Sequence, residues 1–255
     1  MVTRPTTARL RGGRWPGVLA GLAILLIAAA VLMMAGAGPA YRGEVINLGE
    51  AFNWLRNGIY AAGGAVAVSI ITLLLSLFTR RFTPALVASL VIVAAAALLY
   101  VPWQHWQRAQ QVPAIHDITT DTQNPPAFEA LADAREAAPN AVDYPGEATA
   151  QQQQAAYPYI KPLVLAEAPQ TVLAAAQAVA EEAGWRIARI TSHRIEATAT
   201  TRWFGFEDDV VIRLTELENG VQVDMRSASR LGTSDVGTNA ARIDQFLTAL
   251  HARFE

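Results

Sequence analysis

The chain has no cysteine, which excludes disulfides, thiol nucleophiles and thiolate metal sites. It carries no phosphate-binding loop, no dinucleotide fingerprint and no G-x-S-x-G nucleophile elbow, so three common catalytic constructions are missing at once. No internal repeat is visible. Charge is absent from three long stretches of the first hundred residues. No charged residue occurs between Arg14 and Arg42, between Arg56 and Arg80 only a centrally apolar run lies, and a third apolar run extends from Phe82 to Val101. Each matches or exceeds the roughly 20 residues a helix needs to cross hydrocarbon. Helices are the expected form, because lipid satisfies no free backbone N–H or C=O.

Three transmembrane helices are therefore expected, at about residues 16–38, 58–79 and 82–102, after a short cytoplasmic N-terminus over residues 1–15. Arg4, Arg9, Arg11 and Arg14 precede the first span and Arg80 and Arg81 separate the second from the third, against Arg42 and Arg56 in the intervening loop. Basic residues collect on the cytoplasmic side. An odd number of crossings then exports the C-terminal domain, and the expected location is the inner (cytoplasmic) membrane, multi-pass, with that domain periplasmic or extracellular. Trp15, Trp54, Tyr60, Trp103 and Trp106 fall near span ends, where amphipathic rings prefer the interface. The small residues Ala35-Gly36-Ala37 also fit a signal-peptide cleavage site, but the apolar region is longer than the roughly 7–15 residues of such peptides. Val45, Leu48, Phe52 and Leu55 recur at helical spacing and suggest a short surface helix in the first loop. Gly17 and Gly21 form a GxxxG, a pattern that can pair helices but that a Gly/Ala-rich span also produces by chance.

Charge changes at the same boundary. Residues 1–102 hold eight Arg and two Glu, residues 103–255 twelve Lys/Arg and twenty Asp/Glu. An acidic domain is a poor nucleic-acid ligand and is mildly repelled by anionic headgroups. Residues 103–128 form a His/Asp/Pro-rich segment. Residues 129–156, dense in Ala, Asp, Glu, Pro and Gln, read as a low-complexity loop or tether. From residue 157 to 255 the pattern is that of an α+β domain. Ile160–Leu165 is a strand, and Pro169 opens a helix with Val172, Ala176, Val179 and Ala180 on one face that stops at Gly184. Four strands follow, at 185–191, 194–202, 209–216 and 221–231, the last two joined through Asn219-Gly220. A final helix begins near Asp235, capped by Ser234 or Asp235. The expected fold class is α+β, an antiparallel sheet of about five strands with two helices on one face, preceded by three transmembrane α-helices.

Two polar clusters are candidates for chemistry. In 226–243, strand alternation puts Asp224, Arg226 and Arg230 on one face, and helical spacing brings Asp235, Asn239 and Arg242 together. With Asp208 and Asp209 nearby, the arrangement reads either as an anion site built on arginine forks and a helix N-terminus or as an ion-pair network fixing the last helix to the sheet. In 113–128, His116, Asp117 and Asp121 offer metal ligands or a general base, or else turn-forming side chains. Three or four convergent ligands are needed for a metal, so none is assigned, and no cofactor is implied. Ser227, Ser229 and Ser234 lack an elbow motif.

Ile115-His116-Asp117-Ile118-Thr119-Thr120-Asp121, Pro125 to Phe128, Tyr157-Pro158, Gly184-Trp185, Ile195-Glu196-Ala197, Phe206 to Val210 and Arg226 to Arg230 through Asn239 occur in order. Together they resemble the bacterial family catalogued as domain of unknown function 1499, over about 112–254. The resemblance implies an envelope-associated module and a shared site or network comprising His116, Asp117, Asp121, Asp208, Asp209, Arg226, Arg230, Asp235 and Asn239. It supplies no reaction. The leading expectation is a membrane-anchored, non-enzymatic module that binds an envelope partner or small anionic ligand. The alternatives are a metal-assisted or His/Asp-based hydrolase and a structural subunit of a membrane complex.

Overall fold

A computed structural model describes residues 13–255, so Arg4, Arg9 and Arg11 lie outside the described residues. The chain divides into two compact units at Gln104–His105.

The first unit contains α1 (Trp15–Arg42), α2 (Leu48–Thr79) and most of α3 (Phe82–Gln111). All three are long and apolar enough to cross a membrane. They overrun the expected spans because the polar ends, 103–111 above all, stay helical. The surface helix expected around Val45–Leu55 is instead the start of α2. Asn47 accepts the Glu50 backbone N–H and Glu50 accepts that of Asn47, at 2.9 and 2.8 Å, a reciprocal cap that starts the helix there. Small residues make the helix contacts: Ala23, Ala30, Ala62, Ala65 and Ala95 are fully buried with Val91. A Cβ at Gly58 would collide with Met34, whereas Gly17 and Gly21 have nothing near them. The close approach within this unit is therefore at Gly58 and not at the GxxxG.

The second unit is built on one antiparallel six-stranded sheet. Its strands are β1 (Asp117–Thr119), β2 (Leu163–Leu165), β3 (Arg186–Thr191), β4 (Arg194–Thr200), β5 (Glu207–Leu217) and β6 (Gly220–Ser229). The order is β1-β6-β5-β4-β3, with β2 also on β6. Two short strands thus share one edge of β6: Asp117–Thr119 faces Arg226–Ala228, and Leu163–Leu165 faces Val221–Val223. The unforeseen sixth strand is β1, drawn from the His/Asp/Pro-rich segment. The β5–β6 turn is not the expected Asn-Gly type: Glu218 and Asn219 form it without positive φ, and Gly220 (φ +125°) begins β6. Glycine is needed there because a Cβ would collide with the Leu165 carbonyl.

On one face of the sheet lie α6 (Pro169–Glu182) and α7 (Thr238–His251). Val172, Ala176, Val179, Ile243, Phe246 and Leu250 meet Ile195, Val210, Ile212, Val223 and Met225 in one core, where each large apolar side chain contributes about 1.5–3 kcal/mol. The helix α7 starts at Thr238, three residues later than expected. Asp235 still acts as its cap from outside, accepting the N–H groups of Gly237 and Asn239 at 2.8 Å.

The opposite face corrects the expected tether. Residues 129–156 contain α4 (Ala132–Glu136) and α5 (Glu147–Ala156), and the chain from Thr120 to Ala156 lies on the sheet. Phe128 and Leu131, with Val142, pack on Val211 and Ala228. Gln153, inside the glutamine run, accepts the Thr119 N–H at 2.9 Å and donates to its carbonyl at 2.7 Å, closing the outer edge of β1. Composition suggested too little apolar surface to hold this segment. Polar side chains bonding backbone hold it instead.

Candidate functional site

Strand alternation distributes the site residues before any side chain is considered, since successive side chains leave opposite faces. Asp208 and Asp209 are neighbours in sequence, yet their carboxylates lie on different faces. So do the side chains of Arg226 and Ser227, which bond Asp117 and Asn239 respectively. The residues expected in one site are divided between the two faces of the sheet, with His116 taking part through its backbone carbonyl.

On the face covered by Thr120–Ala156, the centre is Asp117 with Arg226. The guanidinium grips both carboxylate oxygens, Nε to Oδ1 at 2.9 Å and Nη2 to Oδ2 at 2.7 Å. It also donates to the Val142 carbonyl at 2.9 Å and the Pro126 carbonyl at 3.3 Å. Both side chains are 2% exposed or less. Arg226 and Arg135 each lie 4.7 Å from the Phe128 ring centroid, an added cation–π attraction in a dry place. Arg135 reaches Asp209 at 3.3 Å and the carbonyls of Ala228 and Ala141 at 3.0 and 2.8 Å. Burial pulls its pKa down, against the attraction of Asp209 and Asp117. Arg230 also grips Asp209 with two bonds of 2.8 Å and reaches Glu207. That hydrogen bond to Asp209 holds the Arg230 pKa above its ordinary value. Arg213 bridges Asp121 and Asp224 at 3.0 Å each, while Asp121 also accepts the N–H groups of Gln123 and Asn124.

On the helix face, Asn239 is the hub. It accepts from Ser227 Oγ at 2.7 Å and donates to Ser229 Oγ at 3.0 Å and to the His116 carbonyl at 2.9 Å. Arg242 donates to Ser227 at 2.9 Å, to Asn239, and to Asp208 at 2.6 Å. Burial raises the Asp235 pKa, opposed by the N–H bonds from Asn239 and Gly237. The histidine enters by its backbone: Ser229 also donates to its carbonyl at 2.9 Å. His116 Nδ1 is buried with no hydrogen-bond partner among the described residues.

This arrangement leaves the site arginines little to offer an added anion. Arg226, Arg230 and Arg242 each meet a carboxylate, and three or more of their bonds go to protein atoms. Among the described residues no three His, Asp or Glu converge as metal ligands, and the serine–imidazole contact present, Ser192 to His193 at 3.3 Å, lies in an exposed turn. The cluster consists of ion pairs and hydrogen bonds between protein groups.

The model of the family described as "Protein of unknown function (DUF1499)" matches residues 117–250, more than half of the chain. The chain belongs to this family. No curated protein matches it. The matched region starts with Asp117, whose carboxylate holds Arg226, and closes with Leu250 in the α7 core.

Several residues that hold the site escaped the sequence reading. Arg135 and Glu196 are among the most buried side chains, and Tyr144 lies 5.7 Å from the Arg226 guanidinium. Glu196 and Phe128 occur inside the motifs that carried the resemblance, but no role attached to them. A glutamate in mid-strand beside Thr198 was the available signal.

The hydroxyls of Tyr144 and Tyr157 are buried without hydrogen-bond partners among the described residues. Burial pushes each pKa from 10 to about 12, with Asp117 adding to the effect on Tyr144 and Asp235 to that on Tyr157. A raised folded-state pKa means the contribution is complete below pH 10 and disappears as pH climbs to 12. Melting the protein in detergent across that range should show a steep loss of stability, on the order of 1 kcal/mol from each phenol after solvent screening. Tyr144→Phe should shallow the slope and leave stability at pH 8 unchanged or improved, because it removes an unpaired buried hydroxyl. An unaltered slope in the double Tyr144→Phe, Tyr157→Phe variant would refute the assignment.

Proposed function

We propose that this protein is a membrane-anchored, non-enzymatic envelope module, with its N-terminus cytoplasmic and its α+β domain exported across the inner membrane. The observation that carries the non-enzymatic part is the saturation of the polar cluster: Asp117–Arg226, Asp209–Arg230 and Asp208–Arg242 are closed pairs. Such a network serves to hold β1, β5, β6, α7 and the 120–156 cover in register. Binding of an envelope partner or small anionic ligand then falls to the outer surface of the domain and not to Arg226 or Arg230.

Orientation is supported by three candidate spans and by six arginines flanking the cytoplasmic ends against two in the first loop. The test is a pair of C-terminal fusions to the full chain. Alkaline phosphatase, which folds only after export, should be active, and green fluorescent protein exported through the same route should stay dark. Fluorescence with inactive phosphatase would place the domain in the cytosol and overturn the topology.

A further inference from the structure

Residues His105–Glu255 form one compact unit, and a groove of about 590 Å³ lies wholly inside it, between the C-terminal end of α6 and one side of α7. That volume falls in the range of roughly 300–1,000 Å³ typical of small-molecule sites. The α7 wall is Thr238, Ala241, Arg242, Gln245 and Ala249, residues spaced three or four apart that share one helix face. Ala241 and Ala249 leave the space open, and α6 contributes Val179. At the base Trp185 stacks on Phe246 with ring centroids 5.3 Å apart. Phe246 is buried, whereas Trp185 is partly exposed, so the indole is the aromatic surface open to an apolar group.

The charges of the groove cancel with one exception. Arg242 is neutralised by Asp208, and Glu182 by Arg253. Arg108, the remaining charged residue of the lining, has no ion pair or hydrogen bond among the described residues. The Thr238 hydroxyl and the Gln245 amide have no hydrogen bond among them either. Val112 fixes where the arginine comes. Its Cγ1 lies 3.6 Å from the position a Cβ at Gly237 would take, and Arg108 precedes it by four residues, about 6 Å of helix. The unneutralised guanidinium therefore belongs to the end of the groove where Thr238 begins α7. Asp235, the carboxylate next to that end, is engaged by the Gly237 and Asn239 N–H groups.

We infer that this groove binds a small amphipathic monocarboxylate, its carboxylate held by Arg108 and the Thr238 hydroxyl and its apolar body laid over Trp185 and the alanines of α7. The inference rests on the ligand branch of the proposed binding role and deepens it by naming a place and a chemical class. A guanidinium presents a planar fork that meets a carboxylate with two parallel bonds, and one unmatched positive charge suits one negative charge. The arginines of the polar cluster are closed on Asp117, Asp209 and Asp208, so the cation has to come from elsewhere. The acidic balance of residues 103–255 disfavours anions in general, and the apolar body must therefore supply part of the affinity.

The test uses the full chain in phosphatidylcholine nanodiscs with two photoreactive probes, para-benzoylbenzoate and its neutral analogue para-benzoylbenzamide, followed by peptide mapping. The carboxylate should label peptides of α6, Trp185 and α7 several-fold more than the amide. Arg108→Gln should remove that excess, Arg108→Lys should keep most of it, and Ala241→Trp should fill the groove and block both probes. Both Arg108 variants change an exposed side chain and should melt as the unaltered protein does. Phenylbutyrate should suppress the excess, and acetate at the same concentration should not. Equal labelling by the two probes, persistence of the excess in Arg108→Gln, or equal competition by acetate would each overturn the proposal. A carboxylate-dependent label elsewhere in the second unit would overturn the groove and leave the binding role standing. Absence of any such label from the unit would remove the small-anion role with it.

Discussion

Replacing Arg226 by alanine is expected to destabilise the domain by about 3–5 kcal/mol, the cost of leaving a buried charge without its partner. Asp117 is 1% exposed, and the hydrogen bonds of its carboxylate come from Arg226. The substitution also frees the Val142 and Pro126 carbonyls and removes a guanidinium from the Phe128 ring. Thermal and urea unfolding of the full chain in detergent, followed by near-ultraviolet circular dichroism, would measure this. The double variant Asp117→Leu, Arg226→Met should cost much less than the sum of the two single changes, because coupled buried charges can be exchanged together for apolar volume. Arg186→Ala is the contrast. Its pair with Glu207 at 2.9 Å has the arginine 67% exposed, and it should change stability by no more than about 1 kcal/mol. A folded, stable Arg226→Ala protein would return the cluster to the anion-site reading.

The parts of this molecule that were legible in the sequence are those set by periodicity. Uncharged runs marked α1, α2 and α3, and alternation marked β3 to β6. The spacing in α7 brought Asn239 and Arg242 together as read. What stayed hidden depends on the solvent each polar face meets. Glu196, Thr198 and Thr200 alternate with Ile195, Ala197 and Ala199, a pattern that ordinarily means one wet face. Yet Glu196 and Thr198 are each 1% exposed, because residues 120–156 form a third layer over them. That layer was invisible for the same reason. It contributes few apolar side chains, and it is held by Gln153, Asn140 and Arg135 bonding to backbone carbonyls, which composition does not register. Asp208 and Asp209, expected in one cluster, meet Arg242 and Arg230 on opposite faces of the sheet. Adjacency in a strand separates two side chains.

Glu196→Ala should cost nearly as much as Arg226→Ala and should act through that third layer. The carboxylate accepts four contacts of 3.1 Å from the backbone N–H groups of Glu129, Ala130 and Leu131. These open the short helix α4, so one side chain from β4 performs the capping that a local residue performs in most helices. Arg194, at 3.8 Å, is a distant counter-ion, and it makes a closer pair with Glu129 at 2.7 Å. Alanine would leave three donors unmet, each worth about 1–3 kcal/mol when buried, and would loosen Phe128 and Leu131 from Val211 and Ala228. The expected loss is about 3–5 kcal/mol, with Glu196→Gln intermediate because one amide oxygen replaces two anionic acceptors. Limited proteolysis separates local from global failure. If Glu196 is the clasp, the variant should be cut between residues 129 and 146 while the Trp185–Phe246 near-ultraviolet signal persists. Cutting at the wild-type rate would mean that Arg135, Asn140 and Gln153 hold the layer without Glu196.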